Sequence, residues 1–229
     1  MNRVIFLFVA LLAGCASPKP SPSAPKATPV VPAPKQSTHI NFWTTNWTDL
    51  FDGKTMKNWT VTEFAGYGGV NVESNQMTIN LGADLSGINW TNGSLPKTGY
   101  EISLEAIKIN GSDFFCGLTF PVGDSSCSLI VGGWGGGVVG LSSIDDMDAS
   151  ENETMKNRYL ETGKWFPIKV RVTLEKIEAW LGDEKIVDQV LIGHKVSLRP
   201  GEIYRSEPLG IATFQTTAGI KKIRLRLVP

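Results

Sequence analysis

The stretch from Trp165 to Val187 sets the class of fold open to this chain. Ile168, Val170, Val172 and Leu174 alternate with Lys169, Arg171, Thr173 and Glu175. Ile177, Ala179 and Leu181 then alternate with Glu178 and Trp180, and Gly182-Asp183 interrupts the pattern before Lys185-Ile186-Val187. Successive side chains of a strand point to opposite faces, so a period of two makes one apolar and one polar face; a Gly-Asp pair between such runs makes a tight hairpin. Similar alternation occupies Glu101–Ala106, and at the end of the chain Ile223, Leu225 and Leu227 oppose Arg224 and Arg226. After Ala106 the phase switches to Ile107 and Ile109, which predicts a bulge near Ala106. No segment carries a convincing helical period. Many short strands separated by turn signals predict an all-β chain, a β-sandwich or jelly roll of two antiparallel sheets.

Between residues 113 and 153 the pattern changes. Gly132, Gly133, Gly135, Gly136 and Gly137 surround Trp134, and the acids Asp145, Asp146, Asp148, Glu151 and Glu153 follow a second apolar run. Glycine at this density gives up packing and backbone entropy, and it marks a sharp bend or a close approach by a backbone or a ligand. Trp134 is the one bulky side chain in that cleared space, so it either plugs the core at a sheet corner or faces a ligand. Cys116 and Cys127 flank the Pro121-Val122-Gly123 turn. They form either a disulfide across a hairpin or two buried thiols on neighbouring strands, and register decides between them.

The chain opens MNRVIFLFVALLAGC, with one arginine, an apolar run too short to span a bilayer and then small residues, which predicts an export signal over residues 1–14. Leu12-Ala13-Gly14-Cys15 resembles a bacterial lipobox, implying cleavage before Cys15 and lipid attachment to its sulfur. Several acyl chains on one residue anchor a protein stably. Ala16 in place of an aspartate points, by the same resemblance, to the outer membrane of a bacterial envelope. From Cys15 to Ile40 the chain holds seven of its thirteen prolines and reads as an extended tether of roughly 3 Å per residue. The body, residues 41–229, carries 18 basic and 22 acidic groups. That balance gives no electrostatic reason to bind nucleic acid, and membrane contact is expected only through the anchor. Lys221, Lys222, Arg224 and Arg226 read as the solvated face of the last strand.

Trp47-Thr48-Asp49-Leu50-Phe51-Asp52-Gly53-Lys54-Thr55-Met56-Lys57-Asn58-Trp59 resembles the opening phrase of the 3-keto-disaccharide hydrolase family. Gly163-Lys164-Trp165 with the strands after it, Leu209-Gly210-Ile211 and Ile223-Arg224-Leu225 resemble later phrases of that family, so the resemblance spans Trp47 to Leu227. It implies a concanavalin A-like jelly roll with a glycan groove on its concave face, a carbohydrate ligand and cleavage of 3-keto-glycosides. In that reaction a ketone at C3 acidifies the neighbouring hydrogen and permits elimination of the glycosidic oxygen. A base near C2 and a group polarising the ketone, commonly a divalent metal, are needed. The middle of the chain departs from the family pattern. Phe115-Cys116-Gly117-Leu118 and Ser128–Gly133 stand where the family has an Asn-Ser-Gly phrase and a strand of acidic and amide residues. The catalytic residues therefore do not carry over, and His194, the one histidine of the body, leaves no histidine-rich metal site.

The expected substrate site has Trp134 beside a wall of Asp145, Asp146, Asn152 and Glu153, with Arg158 opposite. Trp180 joins by stacking on a sugar if its side of the hairpin faces the groove. Asp146, Asp148 and Glu151 also supply oxygens suited to Ca²⁺, without the glycine and spacing of an EF-hand loop; a solvated acidic loop is the plainer reading. Glu101, Ser103 and Glu105 share a strand face, but positions four apart lie roughly 13 Å from one another, too far for a glycosidase pair. A solvated strand face is expected there. The functional expectation is an envelope-anchored, glycan-acting protein, a 3-keto-glycoside hydrolase by resemblance, with a non-catalytic carbohydrate-binding or scaffolding module as the alternative.

Overall fold

The structure is a computed structural model and describes residues 43–229; the export signal, Cys15 and the tether expected over residues 1–40 lie outside the described residues. In chain order the strands are β1 (Thr48–Asp49), β2 (Trp59–Val61), β3 (Val70–Glu73), β4 (Gln76–Ile79), β5 (Leu85–Trp90), β6 (Tyr100–Gly111), β7 (Cys116–Val122) and β8 (Ser125–Gly132). They continue as β9 (Val138–Ser142), β10 (Lys156–Asn157), β11 (Trp165–Val172), β12 (Lys176–Leu181), β13 (Glu184–Val190), β14 (Gly210–Phe214) and β15 (Thr216–Leu227). Sheet I has the order β13-β12-β11-β6-β15-β4-β3, with β1 also paired to β15; sheet II has the order β10-β9-β8-β7-β14-β5-β2. Every pairing is antiparallel. The fold is the expected all-β jelly-roll sandwich.

Alternation builds the layer between the sheets. Ile102, Leu104 and Ala106 of β6, Ile168, Val170 and Val172 of β11 and Ile223 and Leu225 of β15 are buried from one side. Cys116, Leu118, Phe120 and Val122 of β7 with Cys127, Leu129 and Val131 of β8 are buried from the other. The opening phrase of the body is structural. Leu50 and Phe51 enter the core, while Asp52 accepts hydrogen bonds from the Lys54 and Thr55 amides, each at 2.8 Å, and Gly53 takes φ 77°. Those bonds, with a third from the Thr55 hydroxyl, hold the Asp52 carboxyl down at about 2. Trp59 donates its indole N–H to the Leu50 carbonyl at 2.8 Å and packs edge-on to Trp90.

The irregularity predicted near Ala106 falls to either side of it rather than at it. Ala106 stays in phase with Leu104, and the register shifts instead between Thr217/Ala218, opposite Asn110 and Lys108, and between Lys221/Arg224, where Lys222 takes φ 53°. The phase switch after Ala106 reflects half-buried Ile107 on the outer face of sheet I, opposite Trp165. The hairpin register also settles the cysteines. Cys116 pairs with Val131 and Cys127 with Phe120, so the two stand four paired positions apart along the ladder and are free, fully buried thiols. Burial pushes both thiols up to about 12.

Candidate functional site

The outer face of sheet II is built from small side chains. Gly117 and Thr119 of β7, Ser126 and Ser128 of β8, Gly140 and Ser142 of β9 and Gly210 and Ala212 of β14 alternate with the core residues. These positions are nevertheless buried, because two chain segments roof them. The first is the acidic segment after β9. Asn152 donates its amide to the Leu141, Met147 and Asp148 carbonyls at 2.7, 3.0 and 2.8 Å, and its carbonyl oxygen accepts from the Thr154 amide and hydroxyl. The roof sits so close that a Cβ on Gly140 would lie 3.1 Å from the Thr154 hydroxyl and 3.2 Å from the Ala149 carbonyl. The second roof is the segment around the short 3₁₀ turn Glu202–Ser206, fastened by Asn89, whose amide donates to the Arg205 and Glu207 carbonyls.

Beside the second roof a cleft of about 200 Å³ remains, lined by Phe114, Ser128, Ile130, Trp134, Ser142, Arg199, Glu202 and Phe214 among others. Trp134 stands there because of the glycines. Gly132, Gly135 and Gly136 take φ of 87°, 85° and 102°, and Trp134 itself is left-handed at φ 48°, ψ 56°. A left-handed L-residue costs roughly 1–2 kcal/mol. The turn is held by Asp113, which accepts from the Gly135 amide at 2.9 Å and the Phe114 amide at 2.8 Å. Trp134 is 39 % exposed, so it does not plug the core. The Arg199 guanidinium lies 5.9 Å from the indole centroid, and its Nε is 3.5 Å from an Asp148 carboxylate oxygen. Glu202 accepts a hydrogen bond from the Ala65 amide at 2.9 Å.

The other expected site residues are used differently. Asp145 accepts from the Lys195 amide and from His194 Nδ1 at 2.7 Å; these bonds lower the Asp145 carboxyl, and the carboxylate raises the His194 imidazole. Asp146 pairs with Lys195, and Glu153 accepts from Gln189. Asn152 is a buried brace, not a ligand group. Arg158 pairs with Glu184 and lies outside the cleft lining. Among the described residues no three His, Cys, Asp or Glu side chains gather to hold a metal ion; Asp146 turns to Lys195, Asp148 to Ser150 and Arg199, and Glu151 to solvent. The cleft lining offers one carboxylate, Glu202, with the Ser128 and Ser142 hydroxyls and the cationic Arg199, a donor set that does not fit a divalent metal.

Trp180 does not share the cleft. It lies on the outer face of sheet I, with Lys169 Nζ 4.0 Å from its centroid. Glu101, expected in solvent, is fully buried on that face between Arg171 and Arg226, at 2.6 Å from each. Burial pushes its carboxyl up, but the two guanidiniums outweigh that and hold it low. Glu178 is gripped likewise by Lys185 and Lys176. A larger, open hollow of about 950 Å³ touches this face at Arg171, Glu178 and Arg226, whose charges are already paired, Arg171 with Glu101 and Glu178 and Arg226 with Glu101. The cleft residues that sequence reasoning missed are Phe114, Phe214, Arg199 and Glu202. Only Arg199-Pro200-Gly201 carried a local signal, a turn that presents its neighbours.

A family model described as the 3-keto-alpha-glucoside-1,2-lyase-like domain matches residues 46–226. The chain belongs to that family. None of the curated proteins matches this sequence. Among solved structures, the lyase-like domain resembles a carbohydrate-binding module of Bacillus subtilis at 12 % identity and TM-score 0.51, over 74 % of this chain and 95 % of that one. A Bacillus subtilis protein of unknown function with a galectin-like fold matches at 10 % identity and TM-score 0.53, over 76 % and 92 %. The apo Crh5 transglycosylase matches at 10 % and TM-score 0.54, over 82 % and 87 %. At such identities the likeness is one of fold: the lyase-like domain shares their sandwich architecture.

Proposed function

We propose that the chain is a glycan-binding protein of the bacterial envelope that seats one sugar residue of its ligand on the outer face of sheet II against Trp134. The observation that carries this reading is the strained, outward Trp134 at the mouth of an apolar cleft, with Arg199 across it. Strain of this kind persists where the surroundings impose it and clusters at ligand sites. An indole face suits the C–H face of a pyranose, and Arg199, Glu202 and Ser128 supply polar groups that fix its orientation. At about 200 Å³ the cleft is smaller than the roughly 300–1,000 Å³ of drug-sized sites, so it takes a single ring, such as a chain end. The lipobox-like phrase ending at Cys15 and the proline-rich segment after it, read from sequence, support a lipid-anchored position at the envelope, in the outer membrane.

The family match favours a second reading, elimination from 3-keto-glycosides. Glu202 is the carboxylate in the cleft lining and Arg199 the cation, so Glu202 would take the C2 proton and Arg199 would face the ketone oxygen. One experiment separates the readings. The purified protein is titrated with a panel of neutral and 3-keto-glycosides while released sugar is measured. Binding lost in Trp134→Ala with no release supports the binding protein. Release abolished by Glu202→Gln supports the enzyme. Neither binding nor release overturns both. The anchor is tested separately: Cys15→Ser should move the protein from the membrane to the soluble fraction.

A further inference from the structure

The outer face of sheet I carries two neighbouring rows of side chains across its strands. One row reads Asp188, Glu178, Arg171, Glu101, Arg226, and each of its charges has a partner of opposite sign, Asp188 through Lys176 and Lys185 beside the row. The next row reads Trp180, Lys169, Ser103, Arg224, with Asp49 opposite Arg224 on β1. Here Lys169 and Arg224 flank a serine and form no ion pair with any described residue, Asp49 included. Lys169 leans onto Trp180 at 4.0 Å and Arg224 onto Trp47 at 4.6 Å. Arg224 Nε is shut off from solvent without a hydrogen-bond partner. The flanking carboxylates are already taken, Glu101 by Arg171 and Arg226 and Glu105 by Lys221 and Lys222.

We infer that this row is an anion seat for a carboxylate-bearing polysaccharide, with the acid group over Ser103 between Lys169 and Arg224. Strands lie about 4.8 Å apart, so the two cations are rooted about 10 Å from each other with only a hydroxyl between them. The indoles lie under their cations and so hold them in place without standing proud as wedges for lipid. A hydrated polyanion suits such a face better than a membrane. The seat is on the opposite sheet from the Trp134 cleft, and the two sites can fail independently.

The test measures binding of the purified protein to polygalacturonate, with dextran as the neutral control and phosphatidylglycerol vesicles as the lipid alternative. Polygalacturonate binds, dextran does not, and added salt weakens the complex. Lys169→Ala weakens binding about tenfold, the equivalent of about 1.4 kcal/mol. Ser103→Glu fills the seat with a carboxylate and abolishes binding while leaving the melting temperature unchanged or raised, and Trp134→Ala has no effect. Polygalacturonate binding that is absent, or indifferent to Ser103→Glu and Lys169→Ala, overturns the inference. So does a Ser103→Glu effect confined to vesicles.

Discussion

The outer faces of the two sheets solve the same problem with opposite materials. Sheet I covers its backbone with long charged side chains that neutralise one another around the buried Glu101. Sheet II covers its backbone with chain: many of its outward residues are glycine, serine, threonine and alanine, and the roofing segments are tied by Asn152 and Asn89. The difference teaches where a cleft can form. Long side chains pair across a sheet and leave only an open hollow with its charges already taken, whereas a roof of backbone over small residues leaves a narrower cleft at its edge. The Trp134 cleft is of this kind.

The comparison can be broken most severely on sheet II. Asn152→Ala removes hydrogen bonds that reach Leu141, Met147, Asp148 and Thr154, leaves buried carbonyls unpaired and should cost about 3 kcal/mol in denaturant unfolding, lifting the roof. On sheet I, Glu101→Gln should cost about 2 kcal/mol by the same measurement. That is below the roughly 3–5 kcal/mol of a fully buried pair, because Arg171 and Arg226 remain a third exposed and regain solvent. Trp134→Ala sharpens the contrast. It should change stability by less than about 1 kcal/mol, since the indole is partly exposed and strained, yet remove sugar binding in calorimetry. The smallest effect concerns His194. Its folded pKa is raised by Asp145, so the stabilisation is complete below the unfolded value near 6.5 and fades as pH rises through the folded value. The melting-temperature gap between parent and His194→Ala should therefore be widest at pH 5–6 and close above neutrality.

Much of this was legible in the chain. The alternation in Ile168–Leu181 gave β11 and β12 and their Gly182-Asp183 turn, and the glycines around Trp134 marked the bend that exposes it. What stayed hidden were pairings across great sequence distance. Glu101 looks solvated because its partners stand 70 and 125 residues away, and alternation alone does not say whether an outward acid meets water or two arginines. The acids of 145–153 looked like a cleft wall because they are contiguous. In the fold their side chains diverge to Lys195, His194, Gln189 and Arg199, and only the last touches the cleft. Trp180 could not be assigned to a sheet until register was known.

The position of Cys116 and Cys127 has a practical consequence. Neither sulfur reaches the surface or its counterpart, and burial keeps both as thiols, the unreactive form. Moving from a reducing to an oxidising compartment thus leaves the core chemically unchanged. A batch made in the bacterial cytoplasm and one recovered from the periplasm should melt at the same temperature, with or without dithiothreitol.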